Sequence, residues 1–178
     1  MISDQLNDIN IIVQKEFAPL SDSMLNTAPA AGKWSISECL DHIVISNETY
    51  FAAFDSVLSG KYIPGWWGRI NPFSGFIGKK GLQIVSSDTA KLKAPKLFAP
   101  GKPGDVQNIA AKFTTHQQRL KVYFDRLENR KLLNEVISSP VTAALTFKIG
   151  DVLEILAEHE RRHIKQAIHA KQLLNRKK

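Results

Sequence analysis

The chain has 178 residues, of which 43% are hydrophobic and 23% are charged. A chain of this length can bury a core without disulfide bonds, and this composition excludes an intrinsically disordered or a fibrous protein. The formal net charge of +7 is partly local, at residues 79–80, 91–102 and 176–178. Because no nucleic-acid-reading motif accompanies these charges, we expect no nucleic-acid partner.

The cysteine content and the first residues bear on the compartment. Cys39 is the single cysteine, so an intramolecular disulfide cannot form. Asp4 and Asp8 interrupt the first apolar stretch, which is not typical of a signal peptide. No apolar run approaches the roughly 20 residues that a membrane span needs. We therefore predict a cytoplasmic protein without a membrane partner.

Four segments carry apolar residues at every third or fourth position, the periodicity of amphipathic helices. The first stripe ends near Pro19 and consists of Ile2, Leu6, Ile9, Val13, Phe17 and Leu20. The second helix is predicted to begin near Ser35 or Ser37 and to continue until Gly60 and Pro64. Its stripe consists of Ile36, Leu40, Ile43, Asn47, Tyr50, Phe54 and Val57.

The third helix is predicted from about Asp105, a suitable N-cap, to about Asn129. Its inward residues are Val106, Ile109, Phe113, Leu120, Phe124 and Leu127. The fourth helix is placed after Gly150. Its stripe keeps a spacing of three and four through Ile149, Val152, Leu153, Leu156, His159, His163, Ala167, Ala170 and Leu174.

A long connection, residues 59–104, separates the second and third helices. It contains large apolar residues, including Trp66, Trp67, Phe73 and Phe76, which are unfavourable in water. We therefore predict a partly helical cover over residues 66–84, followed by an extended, irregular segment at 94–104. The second connection, residues 132–148, is expected to form a turn or a short strand-like passage. Four long helices with one long crossover predict an all-α four-helix bundle, with residues 1–178 as one domain.

The fourth helix carries the candidate chemistry. His159 and His163 are four residues apart, so they lie one turn apart and only about 40° apart around the helix. Both lie on the apolar stripe, where an unpaired polar group is costly. A shared metal ion is one solution. His42, at the flank of the second stripe, is a candidate third ligand, although a boundary histidine hydrogen-bonded to a neighbour is the alternative.

Several neighbouring residues have two interpretations. Glu160 points about 100° away from His159, so we expect a solvated side chain, with a general base as the alternative. Gln166 either orients a ligand or lines the pocket, with a structural hydrogen bond as the alternative. His116, in the third stripe, is interpreted as a pocket-lining or core histidine, with an additional ligand as the alternative. His169 is expected at the surface.

Three further features are interpreted as structural. Cys39 lies one turn before His42 and is expected to be a small buried cysteine rather than a ligand. Trp34 is expected to anchor the start of the second helix. Arg161 and Arg162 are expected to be solvated or to pair with Glu158.

Two motifs resemble those of the DinB/YfiT-like family. Residues 33–43, K-W-S-I-S-E-C-L-D-H-I, are similar to the W-S-x-x-E-x-x-x-H-x segment at the start of that family's second helix. Residues 156–167, L-A-E-H-E-R-R-H-I-K-Q-A, look like its H-x-x-x-H-x-x-Q segment in the last helix. The resemblance covers nearly the whole chain, including K-A-P-K-L-F-A-P at residues 93–100.

The resemblance implies a four-helix bundle with a three-histidine site for zinc, nickel or another divalent ion. It makes His42, His159 and His163 the metal ligands and assigns no catalytic residue. The family includes thiol-dependent S-transferases and isomerases, so the resemblance implies chemistry with a low-molecular-weight thiol, with hydrolysis as a neighbouring possibility. The alternative is a non-catalytic protein in which the metal stabilises the bundle. The oligomeric state stays open, a homodimer included.

Overall fold

The computed structural model describes residues 2–62, 83, 95–101, 104 and 106–176. Complete bounds are defined there for six α-helices, one short 3₁₀ helix and one two-stranded sheet. The helices are α1 (Ile2–Glu16), α2 (Asp22–Asn26), α3 (Ile36–Glu48), α4 (Phe51–Leu58), α5 (Ile109–Asn129) and α6 (Ile149–Asn175). The 3₁₀ helix is Lys96–Phe98, and the strands are β1 (Val136–Ser138) and β2 (Thr146–Lys148). The predicted all-α class is confirmed.

The bundle consists of α1, α3, α5 and α6. Each of α1 and α3 packs against both α5 and α6, so α1 and α3 lie on one diagonal and α3 and α6 are neighbours. The predicted stripes fill the interior, and the largest fully buried side chains are Phe17, Phe54, Phe113 and Phe124. No helix in the described part of the chain is both long enough and apolar enough to cross a membrane.

The predicted second helix is wrong in its continuity, because the chain breaks into α3 and α4 at residues 49–50. The Thr49 hydroxyl donates to the Ser46 carbonyl at 2.6 Å. The N–H of Tyr50 bonds to the carbonyl of Asn47, three residues back, at 3.1 Å. A tightened turn of this kind interrupts the regular ladder of an α-helix. Periodicity alone did not reveal this break, since the apolar stripe continues through it.

The start of the third predicted helix is also corrected. Helix α5 begins at Ile109, and Asn108 before it adopts a left-handed conformation with φ of 50°. A left-handed residue cannot continue a right-handed helix, so Asn108 sets the boundary. Asp105, the predicted N-cap, lies outside the described residues. Helix α2 was not predicted, since its five residues are too few to show periodicity.

The two connections have different outcomes. The predicted cover at 66–84 lies outside the described residues apart from Gln83, so it stays a prediction. In the segment predicted as extended and irregular, the Lys96–Phe98 3₁₀ helix between Pro95 and Pro100 corrects that expectation. The strand-like passage at 132–148 is confirmed: β1 and β2 pair antiparallel, with Ile137 opposite Phe147.

Candidate metal centre

The start of α3 is fixed by a reciprocal cap. The Ser35 hydroxyl accepts the N–H of Glu38 at 3.2 Å, and the Glu38 carboxylate accepts the N–H of Ser35 at 2.8 Å. Such a capping box satisfies two otherwise free donors. Trp34 precedes the cap and packs on the core, which confirms it as an anchor of the helix entry. The cap therefore fixes the start of α3, the helix that carries His42.

The structure brings the three predicted histidines together. One nitrogen from each of His42, His159 and His163 lies within 4.8 Å of the others. The ring centroids are 5.0 Å apart for His42 and His159, 4.5 Å for His42 and His163, and 4.6 Å for His159 and His163. The predicted convergence of the imidazoles is confirmed, and their role as ligands is taken up below as a proposal.

Hydrogen bonds select which ring nitrogen each histidine offers. His42 Nδ1 lies 2.5 Å from the carbonyl oxygen of Phe98, so it donates its proton there. His163 Nδ1 likewise donates to Gln166 Oε1 at 3.0 Å. In both rings the Nε2 lone pair is left for the centre. Gln166 thus orients a candidate ligand, one of the two roles predicted for it.

A short contact joins the two helices directly. His42 Nε2 and His159 Nε2 are 3.2 Å apart. Because His42 Nε2 carries no proton, the His159 Nε2–H donates in this contact. An ion that bound both nitrogens would replace this proton. The separation is compatible with two nitrogen ligands that each lie about 2.0–2.1 Å from one zinc ion.

The surroundings keep the imidazoles neutral. Burial lowers the pKa of His42, although the Phe98 carbonyl and the Asp41 charge raise it. Burial also lowers the pKa of His163 to about 3, and moves that of His159 well below its ordinary value. Neutral imidazole is the form that binds metals. At neutral pH, protons therefore compete little with a cation at these three rings.

The donor set fits a divalent transition metal. Imidazole nitrogen suits zinc, copper, iron and nickel, whereas magnesium and calcium prefer oxygen. Among the described residues, no carboxylate or thiol joins the three histidines. Cys39 is fully buried, and burial raises its thiol pKa to about 12, so it is the inert cysteine predicted. A set of three nitrogen ligands is typical of catalytic rather than structural zinc, since structural zinc usually has four protein ligands.

Glu160 is the clearest correction to the site predictions. It was expected to be solvated, yet it is fully buried. Its two carboxylate oxygens accept the side-chain N–H groups of Asn47 at 2.6 Å and Gln117 at 2.5 Å. Burial raises the pKa of Glu160 to about 7, against these two bonds, which lower it. The consecutive residues His159 and Glu160 thus point into different polar clusters.

His116 belongs to the Glu160 cluster. Asn47 Nδ2, which donates to Glu160, also lies 3.1 Å from His116 Nε2, so this nitrogen accepts and Nδ1 carries the proton. Burial lowers the pKa of His116 to about 4. The ring lines a cleft of about 270 Å³ with Val44, Glu48, Lys112, Thr115 and Arg119. His116 is buried, so the core interpretation is confirmed, while no member of the histidine triad lines this cleft.

Other predicted residues fall as expected. His169 is exposed. Arg161 pairs with Glu158 along α6. The Phe98 carbonyl was missed, because a backbone oxygen leaves no trace in the residue type. Its only signal was the short proline-flanked stretch at residues 93–100.

Comparisons with known proteins relate the chain to a family. The family model described as the DinB superfamily matches residues 12–167. The uncharacterized protein YuaE of Bacillus subtilis (strain 168) is 23% identical over 171 residues, which cover 96% of this chain and 97% of YuaE. No solved structure matches the chain significantly. The matched segment includes His42, His159 and His163, and on this evidence the chain belongs to the DinB superfamily.

Proposed function

We propose that this protein is a metal-dependent enzyme whose three histidines bind one divalent cation, zinc or nickel, and that it transfers a low-molecular-weight thiol to a small electrophile. The observation that carries the proposal is the convergence of three neutral imidazoles within 4.8 Å without a fourth ligand among the described residues. A structural zinc site normally has four protein ligands, so three suit a centre that admits another molecule.

The surrounding residues would hold and shield the centre. A divalent cation bound there supplies positive charge that lowers the pKa of an arriving thiol or water. Phe98 and Gln166 keep the His42 and His163 rings in the orientation that directs Nε2 inward. Trp34 covers one side, with its ring centroid 4.9 Å from His42 and 5.7 Å from His163. His159 and His163, both on α6, keep part of their surface exposed to solvent.

In the proposed reaction, the thiol loses its proton to solvent and its sulfur forms a bond to the electrophilic carbon. The bond from that carbon to the leaving group breaks, and the leaving group departs with the electron pair. Thiolate, rather than thiol, is the nucleophile in such steps. A cytoplasmic location suits this chemistry, because low-molecular-weight thiols are kept reduced there. Hydrolysis would use water in place of the thiol.

The test is a pair of histidine variants on α6. His163→Ala removes a proposed ligand, and His169→Ala removes an exposed histidine of the same helix. We expect His163→Ala to lose both bound metal and thiol transfer but to keep its helicity, and His169→Ala to resemble the wild type. Metal is measured by mass spectrometry, helicity by circular dichroism and activity with a panel of thiols and a chromogenic electrophile. A metal-free His163→Ala protein with the wild-type rate would refute the proposal.

The same experiment separates the catalytic proposal from a structural metal. Binding energy of a structural ion is also folding energy, so loss of that ion lowers the melting temperature sharply. The apolar core supplies most of the folding energy here, since four phenylalanines are among its fully buried side chains. We therefore expect a small loss of thermal stability on metal removal. A large loss, together with no turnover on any thiol or ester, would favour the structural alternative.

A further inference from the structure

A buried carboxylate lies beside the proposed metal centre without contacting it. Asp41 precedes His42 on α3 and is 3% exposed. Its Oδ1 accepts the Lys112 ammonium at 2.7 Å, and its Oδ2 accepts the backbone N–H of Gly101 at 2.9 Å. A buried carboxylate is costly unless both oxygens have partners. Asp41 therefore connects α3, α5 and the segment that contains Gly101.

That segment, residues 95–101, is here called the strap. It packs against α3 through its 3₁₀ helix, and its two prolines restrict the backbone on either side. The strap also contains Phe98, whose carbonyl oxygen accepts the hydrogen bond from His42 Nδ1 at 2.5 Å. Gly101 lies three residues further on, so only about 10 Å of chain separates it from Phe98. The Asp41 bond thus fixes the strap within a short reach of the contact to His42.

We infer that Asp41 is a positioning residue for the metal centre, because it holds the strap in the place where the Phe98 carbonyl fixes the tautomer of His42. The hydrogen bond to the carbonyl keeps the proton on Nδ1, and the Nε2 lone pair is left for the centre. The expected effect of Asp41 on metal affinity rests on the proposed metal binding. The link from Asp41 to the tautomer of His42 is a property of the metal-free protein and can be measured there.

A purely structural Asp41 has a different signature. If the carboxylate only joined α3 to α5 through Lys112, its loss would lower the free energy of unfolding and leave the ring of His42 unchanged. If it acts through the strap, its loss frees the Phe98 carbonyl to move. The proton of the His42 ring is then shared between the two nitrogens. Only the fraction of molecules with the proton on Nδ1 offers Nε2 to a metal ion.

The experiment compares three variants. Asp41→Ala removes both acceptor oxygens, so the contacts to Gly101 and to Lys112 are both lost. Lys112→Met removes the charge from a half-exposed side chain, keeps its apolar stem and leaves the bond between Asp41 and Gly101 in place. The control is Asp55→Ala: Asp55 accepts the Tyr123 hydroxyl of α5 at 2.8 Å, and so also joins two helices, but far from the strap in sequence.

Two quantities are measured on each protein. The first is the protonation of the two His42 ring nitrogens in the metal-free protein, from ¹⁵N shifts. The second is the affinity for Zn²⁺, by competition with a chelator. We expect Asp41→Ala to mix the His42 tautomers and to bind Zn²⁺ about 10 to 100 times more weakly, the usual effect of losing an outer partner of a metal ligand. Lys112→Met and Asp55→Ala should leave both the tautomer and the affinity close to those of the wild type.

The outcomes separate the two proposals. A wild-type protein that fails to bind Zn²⁺ or Ni²⁺ refutes the proposed function, while the His42 tautomer still tests the role of Asp41. An Asp41→Ala protein that is folded, keeps the Nδ1–H tautomer and retains wild-type Zn²⁺ affinity overturns the inference, as does a Lys112→Met protein with mixed His42 tautomers. Should Asp41→Ala not fold, Asp41→Leu, which also removes both acceptor oxygens, takes its place and is judged by the same two measurements.

Discussion

The buried carboxyl of Glu160 makes the stability of this protein depend on pH in a defined direction. Its pKa is raised from 4.5 to about 7, with burial as the main cause. Between these values the folded state binds a proton more readily than the unfolded state does. The free energy of unfolding contributed by Glu160 therefore falls as pH rises through this window.

The magnitude follows from the size of the shift. One pKa unit corresponds to about 1.4 kcal/mol, and the part of the window between about pH 5.5 and pH 8 accounts for about 2 kcal/mol. Glu160→Gln removes the titration and keeps the shape. Gln117 Oε1 has no hydrogen-bond partner within the described residues, so rotation of the Gln117 amide lets it accept from the new side chain. We expect the variant to gain about 2 kcal/mol on the wild type across this interval.

Urea unfolding followed by circular dichroism, in chelator-treated buffer, measures this difference at several pH values. The histidines titrate in both proteins, so their contributions cancel in the comparison. Glu154→Gln is the matched control, since Glu154 is an exposed glutamate of the same helix. Its difference from the wild type should be independent of pH. Parallel stability curves for the wild type and Glu160→Gln would refute the reasoning.

Three further predictions concern the fold. Phe113→Ala should lower the free energy of unfolding by about 3–5 kcal/mol, because Phe113 is fully buried. Val122→Ala, at a position 54% exposed, should change it by about 0.5 kcal/mol or less. Equal effects of the two variants in urea unfolding would contradict this prediction. Ser35→Ala should cost about 1 kcal/mol by removing the cap of α3, and an unchanged unfolding midpoint would show that the cap is dispensable. Cys39 should react with a thiol reagent only in denaturant, since it is buried with its pKa raised to about 12; rapid labelling of the native protein would count against the buried position.

The sequence predicted those parts of the fold that depend on repeated burial. The stripe of α1 gave both the helix and its buried residues, because Leu6, Ile9 and Val13 are nearly inaccessible to solvent. The prediction from sequence failed where a single local contact or conformation determines a helix boundary. The hydroxyl of Thr49 and the left-handed Asn108 each end or start a helix, and neither disturbs the apolar pattern from which helices are predicted.

The site divides in the same way. His159 and His163 could be placed together from their spacing on one helix, because one turn is a fixed local distance. Bringing His42 to them required the resemblance to a family, since no local rule relates α3 to α6. Glu160 was misjudged because its angle was measured against His159 alone. Its partners Asn47 and Gln117 belong to two other helices, which a single helical wheel does not contain.

The contacts of Glu160 and of the histidine triad both depend on the register of α3 against α6. Glu160 can accept from Asn47 at 2.6 Å only while the two helices keep their present offset, and the same offset places His42 Nε2 3.2 Å from His159 Nε2. A slip of one turn would move α6 by about 5.4 Å. It would break both contacts at once and leave a buried carboxylate unpaired, which apolar residues alone would not penalise. The buried Glu160 cluster therefore supplies what the apolar stripes lack: a penalty for a one-turn slip away from the register that assembles the three histidines.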